Sequence, residues 1–208
     1  ISPWNFPINL VLSPLGTIFA AGNRVMIKPS EFTPATSDLT EKMFKEFFDS
    51  SEAAVFTGGP DVAAAFSALP FDHLLFTGST QTGKLVMKSA SENLVPVTLE
   101  LGGKSPVIVD ENADLKNTAT KVMRGKTMNA GQICLAPDYV MVPKGKSEDF
   151  VKESENAVKS MFENLKYNQS YTSVINEKHY DRLNSLIEDA KEKGADIRVI
   201  NPADEDFS

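Results

Sequence analysis

Short apolar runs alternate with amphipathic segments along this chain, and that alternation limits the possible folds more than any other feature. Residues 24–28 (Arg-Val-Met-Ile-Lys), 53–57, 73–77, 97–101, 105–109, 139–142 and 197–200 read as strands. Residues 35–48, 61–68, 80–91, 115–128 and 146–162 read as helices, as does a segment marked by Tyr180, Leu183, Leu186, Ile187 and Ala190 that stops at Gly194. In the first of these helices Leu39, Met43, Phe44, Phe47 and Phe48 share one face. Leu115, Ala119, Val122 and Met123 point inward on another, and Phe150, Val151, Ala157, Val158, Met161 and Phe162 on the next. Before them, residues 2–13 read as a turn leading into a short helix, and apolar residues 15–21 end at Gly22 and Asn23, a helix C-cap. Strands that alternate with helices predict a parallel sheet, an α/β fold. The two strands flanking Gly102 and Gly103 meet without a helix between them. That break predicts two domains, residues 1–101 and 102–208.

At 208 residues with a hydrophobic fraction of 41%, the chain can bury a substantial core. A net charge of −7 argues against a general nucleic-acid binder, which needs clustered Lys and Arg. No apolar run approaches the roughly 20 residues of a membrane-spanning helix. A single cysteine suits a reducing compartment, so a cytoplasmic location is expected. The chain opens at Ile1 with Trp4, Phe6 and Pro7 close behind, and it ends in an acidic stretch without a closing element; an internal piece of a longer protein is expected.

The one cysteine, Cys134, lies between Gly131 and Pro137, in a shaped loop after a helix. It is either a small buried hydrophobe or a reactive nucleophile. Gly78, Ser79, Gly83 and Lys84 follow a strand and open a helix, where backbone N–H groups and the helix dipole can hold phosphate. Their spacing matches the start of a P-loop, but the next residue is Leu85, and a hydrocarbon cannot ligate magnesium. A P-loop nucleotide hydrolase and a ligand-free, glycine-capped turn both remain readings of this stretch. Lys28, Ser30 and Glu31 sit at the carboxyl end of a strand, where open α/β sheets bind ligands. An ammonium and a carboxylate there can hold ribose hydroxyls; a solvated polar turn is the plainer reading. Glu100 stands inside an apolar strand, where burial would raise its pKa toward that of a general base, unless it faces solvent from an edge. Asn5, between Trp4 and Phe6, can donate to an oxyanion, although a turn-forming Asn is commoner. His73 and His179 are not expected to be catalytic, and no cluster has metal-ligand spacing, so no metal is expected.

Taken in order, Pro3-Trp4-Asn5-Phe6-Pro7, Lys28-Pro29-Ser30-Glu31, Phe76-Thr77-Gly78-Ser79 with Gly83, Leu99 to Lys104, and Gly131-Gln132-Ile133-Cys134 resemble the motifs of the aldehyde dehydrogenase superfamily. Within it, residues 136–140 and 96–98 most resemble the branch acting on coniferyl, other aromatic and medium-to-long aliphatic aldehydes. The resemblance implies a Rossmann-like cofactor domain followed by part of an α/β catalytic domain. It implies that Cys134 attacks the aldehyde carbon, that the Asn5 amide and the Cys134 N–H hold the oxyanion, and that Glu100 activates the water that hydrolyses the thioester. NAD is the implied cofactor, with NADP possible; Glu31 beside the ribose would repel a 2′-phosphate. Lys28, Ser30 and Glu31 are implied to bind the ribose, and Gly78, Ser79, Gly83, Leu101 and Gly102 to line the rest of the cofactor site. Acylating relatives lack the base, so a glutamate at position 100 implies hydrolysis to the acid. The family's longer chain carries a later Glu-x-x-Phe-Gly-Pro segment and an assembly strand that this sequence lacks. The full-length form is expected to be a homodimer acting on a small-molecule aldehyde. A catalytically incomplete fragment serving only assembly is the remaining alternative.

Overall fold

A computed structural model describes residues 1–206. The chain divides into two compact units, Ile1–Gly102 and Gly103–Ser208.

Two pairs of parallel strands carry the first unit. β1 (Val25–Ile27) pairs with β2 (Ala53–Val55), Val25 opposite Ala53. β3 (Leu74–Gly78) pairs with β4 (Val97–Leu101), Leu74 opposite Val97 and Gly78 opposite Leu101. Parallel neighbours need a crossover connection. α2 (Pro34–Phe47) supplies it for the first pair and α4 (Thr80–Ser91) for the second, with α3 (Pro60–Ser67) between the pairs. The Ile1 amino group donates to the Leu75 carbonyl at 2.8 Å, and the Thr77 N–H donates to the Ile1 carbonyl at 3.1 Å. That is the hydrogen-bond pattern of a parallel bridge to β3. Ser2 N–H then donates to the Lys28 carbonyl just past β1, at 3.1 Å, so residues 1 and 2 tie the two strand pairs together. One apolar cluster joins Val11, Leu15, Ile27, Phe44, Ala53 and Val55; a second joins Leu74, Phe76, Val86, Ala90 and Val95.

The second unit is built on one parallel pair, β5 (Ser105–Ile108) with β6 (Pro137–Met141), crossed over by α5 (Leu115–Thr127). Its register shifts between Ser105 and Pro106, an irregularity where a strand tolerates proline. α6 (Ser147–Met161) packs on α5, and Ala119, Val122 and Phe150 form the core with Val107, Leu115, Met123, Val140 and Val142 around them. α7 (Glu177–Glu192) follows.

Three local expectations are corrected. After the expected turn, the short helix and the apolar run 15–21 are one helix, α1 (Asn9–Ala20), running through Pro14. Val11 and Leu15, one turn apart on either side of the proline, both bury in the first cluster, and that packing outweighs the hydrogen bond Pro14 cannot donate. On α2 the buried row is Ser37, Thr40 and Phe44, while Leu39, Met43 and Phe47 are exposed. The inner hydroxyls are satisfied locally, Ser37 donating to the Ser30 carbonyl and Thr40 to that of Thr36, both at 2.8 Å. Residues 197–200 form no strand: Arg198 pairs with Asp196 at 2.7 Å and Glu148 at 3.3 Å, and no neighbouring edge pairs with this segment among the described residues. No described helix is long and apolar enough to cross a membrane.

Candidate active site

The turn from β3 into α4 is shaped by what its residues lack. A Cβ on Gly78 would lie 2.5 Å from the tip of the Phe76 ring, which is buried in the core. A Cβ on Gly83 would lie 3.0 Å from a Leu101 methyl. The two glycines therefore let the first turn of α4 settle close against the ends of β3 and β4. Ser79 caps that helix: its hydroxyl accepts the Thr82 N–H at 3.2 Å and lies 2.9 Å from the Thr82 hydroxyl. Ser79 and Thr80 are exposed, so the positive end of a 12-residue helix opens to solvent beside them. Leu85, where a P-loop needs a magnesium-binding hydroxyl, is 67% exposed hydrocarbon.

At the end of β1, Lys28, Pro29 and Ser30 are buried, which removes the solvated-turn reading. The Lys28 ammonium donates to the Pro29 carbonyl at 2.9 Å and to Glu31 Oε2 at 3.1 Å. Burying an ammonium is costly unless it is paired, and this pair answers that cost while leaving the Glu31 carboxylate at the surface. Ser30 is spent internally, its hydroxyl accepting the Phe32 N–H and its carbonyl the Ser37 hydroxyl.

Glu100 is exposed on β4, with no described strand on the far side of β4. Of the two readings of Glu100, the solvent-facing one holds: side chains alternate across a strand, and the apolar neighbours Leu99 and Leu101 point to the core face while Glu100 points away. Gly102, directly after β4, is also exposed. Asn5 is half-buried in the bend that enters α1. His73 is exposed, with Nε2 3.1 Å from the Thr98 hydroxyl. No group of three or more potential metal ligands exists among the described residues.

Cys134 belongs to the second unit and is exposed, so the buried-hydrophobe reading fails. The loop that presents it is irregular. After α5 the chain makes a 3-10 turn, Met128–Gly131, in which Asn129 (φ 50°, ψ 34°) and Ala130 (φ 52°, ψ 33°) are both left-handed, followed by Gly131 at φ 74°. For a residue with a Cβ that conformation costs about 1–2 kcal/mol, most plainly at Ala130. The left-handed run reverses the chain out of α5, and a bond from the Ala136 N–H to the Ile133 carbonyl (3.1 Å) closes the next turn, with Cys134 and Leu135 at its tip. Gln132 connects this loop to residues 173–175, far along the chain. Sequence reasoning missed both the left-handed pair and that connection; the sole local signal was Gly131.

Lys28 meets Glu31, and Ser79, Gly83 and Leu101 share one corner, all in the first unit; Asn5 and Glu100 lie in that unit too, and Cys134 in the second. A parallel α/β unit with a glycine-shaped strand–helix turn, followed by a unit displaying one exposed thiol, defines an α/β protein of Rossmann-like type. The sequence matches the aldehyde dehydrogenase family over residues 1–206, and the chain belongs to that family. It is 60% identical over 208 residues to a Caulobacter vibrioides protein named "Probable coniferyl aldehyde dehydrogenase", covering all of this chain and 43% of that one. It is 53% identical over 207 residues to the coniferyl aldehyde dehydrogenase of a Pseudomonas species, again covering 43% of it. Among solved structures, Staphylococcus aureus betaine aldehyde dehydrogenase in complex with NAD+ superposes with a TM-score of 0.85 at 29% identity, over 95% of this chain and 40% of that one. The chain thus spans less than half the length of these relatives. Family membership replaces the P-loop reading.

Proposed function

We propose that the chain is the central part of an NAD-dependent aldehyde dehydrogenase that converts an aromatic aldehyde of the coniferyl type to its acid. In that reading residues 1–101 belong to the cofactor domain and residues 102–208 to the catalytic domain. The observation that carries the proposal is the exposure of the chain's one thiol, on an irregular loop, in a member of this family.

The Cys134 sulfur, as thiolate, attacks the carbonyl carbon and forms a thiohemiacetal. The Asn5 amide and the Cys134 N–H donate to the resulting oxyanion. The nicotinamide cofactor supplies the hydride acceptor, which leaves a thioester on sulfur. Glu100, exposed and hence accessible to water, removes a proton from the water that attacks the thioester; the acid departs and the thiolate returns. The residues present suit a dinucleotide. Glu31 offers a surface carboxylate beside a buried ammonium for ribose hydroxyls, and the Ser79 end of α4 offers N–H groups and a helix dipole to phosphate. The same Glu31 disfavours a ribose 2′-phosphate, which supports NAD over NADP. The Caulobacter and Pseudomonas similarities support the coniferyl substrate, and the NAD+-bound relative supports the cofactor.

The test is a reduced-cofactor assay on the complete enzyme with coniferyl aldehyde, benzaldehyde and hexanal, each with NAD+ and with NADP+. Coniferyl aldehyde with NAD+ should be the best pair. Cys134→Ala should lower kcat by on the order of 10⁴-fold or more, the scale of losing a covalent nucleophile. Glu100→Gln should keep a burst of one reduced cofactor per site but slow steady turnover by roughly 10²–10⁴-fold. Turnover that survives Cys134→Ala, or a thiol inert to iodoacetamide with and without NAD+, defeats the reading.

A further inference from the structure

Gln132 makes contacts out of proportion to a loop residue. Its side-chain nitrogen donates to the Asn129 carbonyl at 2.9 Å, the same carbonyl that accepts its own backbone N–H at 3.0 Å. That nitrogen also donates to the Ser173 carbonyl at 3.1 Å, and Gln132 Oε1 accepts the Ile175 N–H at 3.0 Å. Toward residues 173–175 the amide thus behaves like a peptide group in a ladder, giving one bond and taking one across a spacing of two residues. One face of it closes the left-handed run at 129–131, and the other grips backbone 41 to 43 residues away. Ile175 directly precedes Asn176, whose side chain caps α7 by accepting the His179 N–H at 3.0 Å. Cys134 lies two residues beyond Gln132 in the same loop.

We propose that Gln132 is a positioning residue: its amide locks the thiol loop to residues 173–175 and so fixes the direction of the Cys134 sulfur. The inference rests on Cys134 being the nucleophile. A left-handed run has right-handed alternatives within easy reach, and the bond that selects it must come from outside the run. Gln132 supplies that bond to the Asn129 carbonyl and is itself anchored by two backbone groups of a distant segment. Because the partners are main-chain atoms, side-chain changes at 173–175 should be tolerated, whereas position 132 requires one donor and one acceptor in the geometry of a primary amide.

Two substitutions separate the parts. Gln132→Met preserves length and removes every polar bond. Gln132→Glu preserves shape and the acceptor for Ile175 but turns a carboxylate oxygen toward the Asn129 and Ser173 carbonyls. In the complete enzyme, both should lower kcat by about 10–100-fold, the scale of a misplacement near 1 Å, with aldehyde KM changed less than about threefold. The Gln132→Glu loss should shrink as pH falls toward 5, because a protonated carboxyl regains a donor; Gln132→Met should show no such recovery. A merely structural residue would instead lower the folded fraction with kcat per folded molecule intact, and that result overturns the proposal. So does a wild-type kcat in both variants. Hydrogen exchange of the unsubstituted enzyme gives an independent reading should the variants not fold: the Ile175 amide must be protected, and rapid exchange there overturns the proposal. Cys134→Ala run in parallel keeps the two ideas apart. If it abolishes turnover while the Gln132 variants match wild type, only the brace fails; if it retains turnover, the nucleophile assignment fails.

Discussion

The β3–α4 turn and the Cys134 loop solve the same local problem, a chain leaving one element and presenting a polar group at its corner, by opposite means. At residues 77–83 the backbone is ordinary, and the corner is made by leaving side chains out at Gly78 and Gly83. At residues 128–136 side chains are kept, two residues with a Cβ are held left-handed, and a remote contact secures them. The first device is encoded within a few residues. The second requires the fold to be complete around it. The difference implies that adding a methyl group harms the first corner, whereas removing one relieves the second.

The largest effect is expected at Gly78. A Cβ there would collide with the Phe76 ring, whose own position is fixed by Leu74, Val86 and Ala90. Gly78→Ala should cost about 1–3 kcal/mol as overpacking of a core, read as a lower urea midpoint at unchanged slope. A Gly78→Ala protein as stable as wild type would mean that the ring moves aside freely and that the corner is not set by close packing. Next is Ser79→Ala, which removes the cap of α4 and should cost about 1 kcal/mol. In the proposed function it should also raise the KM for NAD+ more than that for the aldehyde.

What could be read directly in the sequence follows the same division. α4 and β4 have the bounds expected of them, because Ser79, Gly78 and Gly83 are local signals with local causes. The helices of the second unit are likewise close to expectation, and on α5 the apolar spacing identifies the face that packs. Pattern failed where tertiary context outweighed it. The short helix before Pro14 and the apolar run after it read as separate stretches, yet Val11 and Leu15 hold one helix through the proline. Leu39, Met43 and Phe47 read as a core face, but the hydroxyls of Ser37 and Thr40 find partners inside and turn that face outward. In the site, Lys28 and Glu31 are three residues apart and were legible as a pair. Which way Glu100 faces was not, because alternation says which residues share a face but not which face is covered. The grip of Gln132 on residues 173–175 has no local signature at all.

The converse prediction concerns Ala130. Replacing it with glycine removes the steric penalty of φ 52° but adds conformational freedom to the unfolded chain. The two partly cancel, so Ala130→Gly should stabilise by about 0.5 kcal/mol, a small rise in melting temperature. The sign is what matters, since it is opposite to that of Gly78→Ala. Loss of stability would show that the left-handed pair is held by contacts of the Ala130 methyl rather than imposed on it.

The smallest effect is a pH dependence confined to the second corner. His179, in the first turn of α7, has its pKa held below the ordinary value near 6.5, first by partial burial and then by the neighbouring charges of Arg182 and Lys178. The folded state therefore binds a proton there less readily than the unfolded chain does. Between the lowered folded value and about 6.5 the unfolded chain carries more protons, so stability rises with pH across that window. The contribution is complete above the unfolded pKa and is lost as pH falls through the folded one. Its structural consequence should be local: the His179 N–H closes the Asn176 cap, and residues 173–175 before that cap are the ones Gln132 grips. Acidification from pH 7.5 to 5.5 should accelerate hydrogen exchange at residues 175–180, after correction for intrinsic rates, while residues 77–83 keep their protection. His179→Gln should abolish the difference. Equal acid sensitivity at both corners, or none at either, would mean that the remote brace is no more fragile than the glycine corner, and the contrast between the two devices would not extend to their stability.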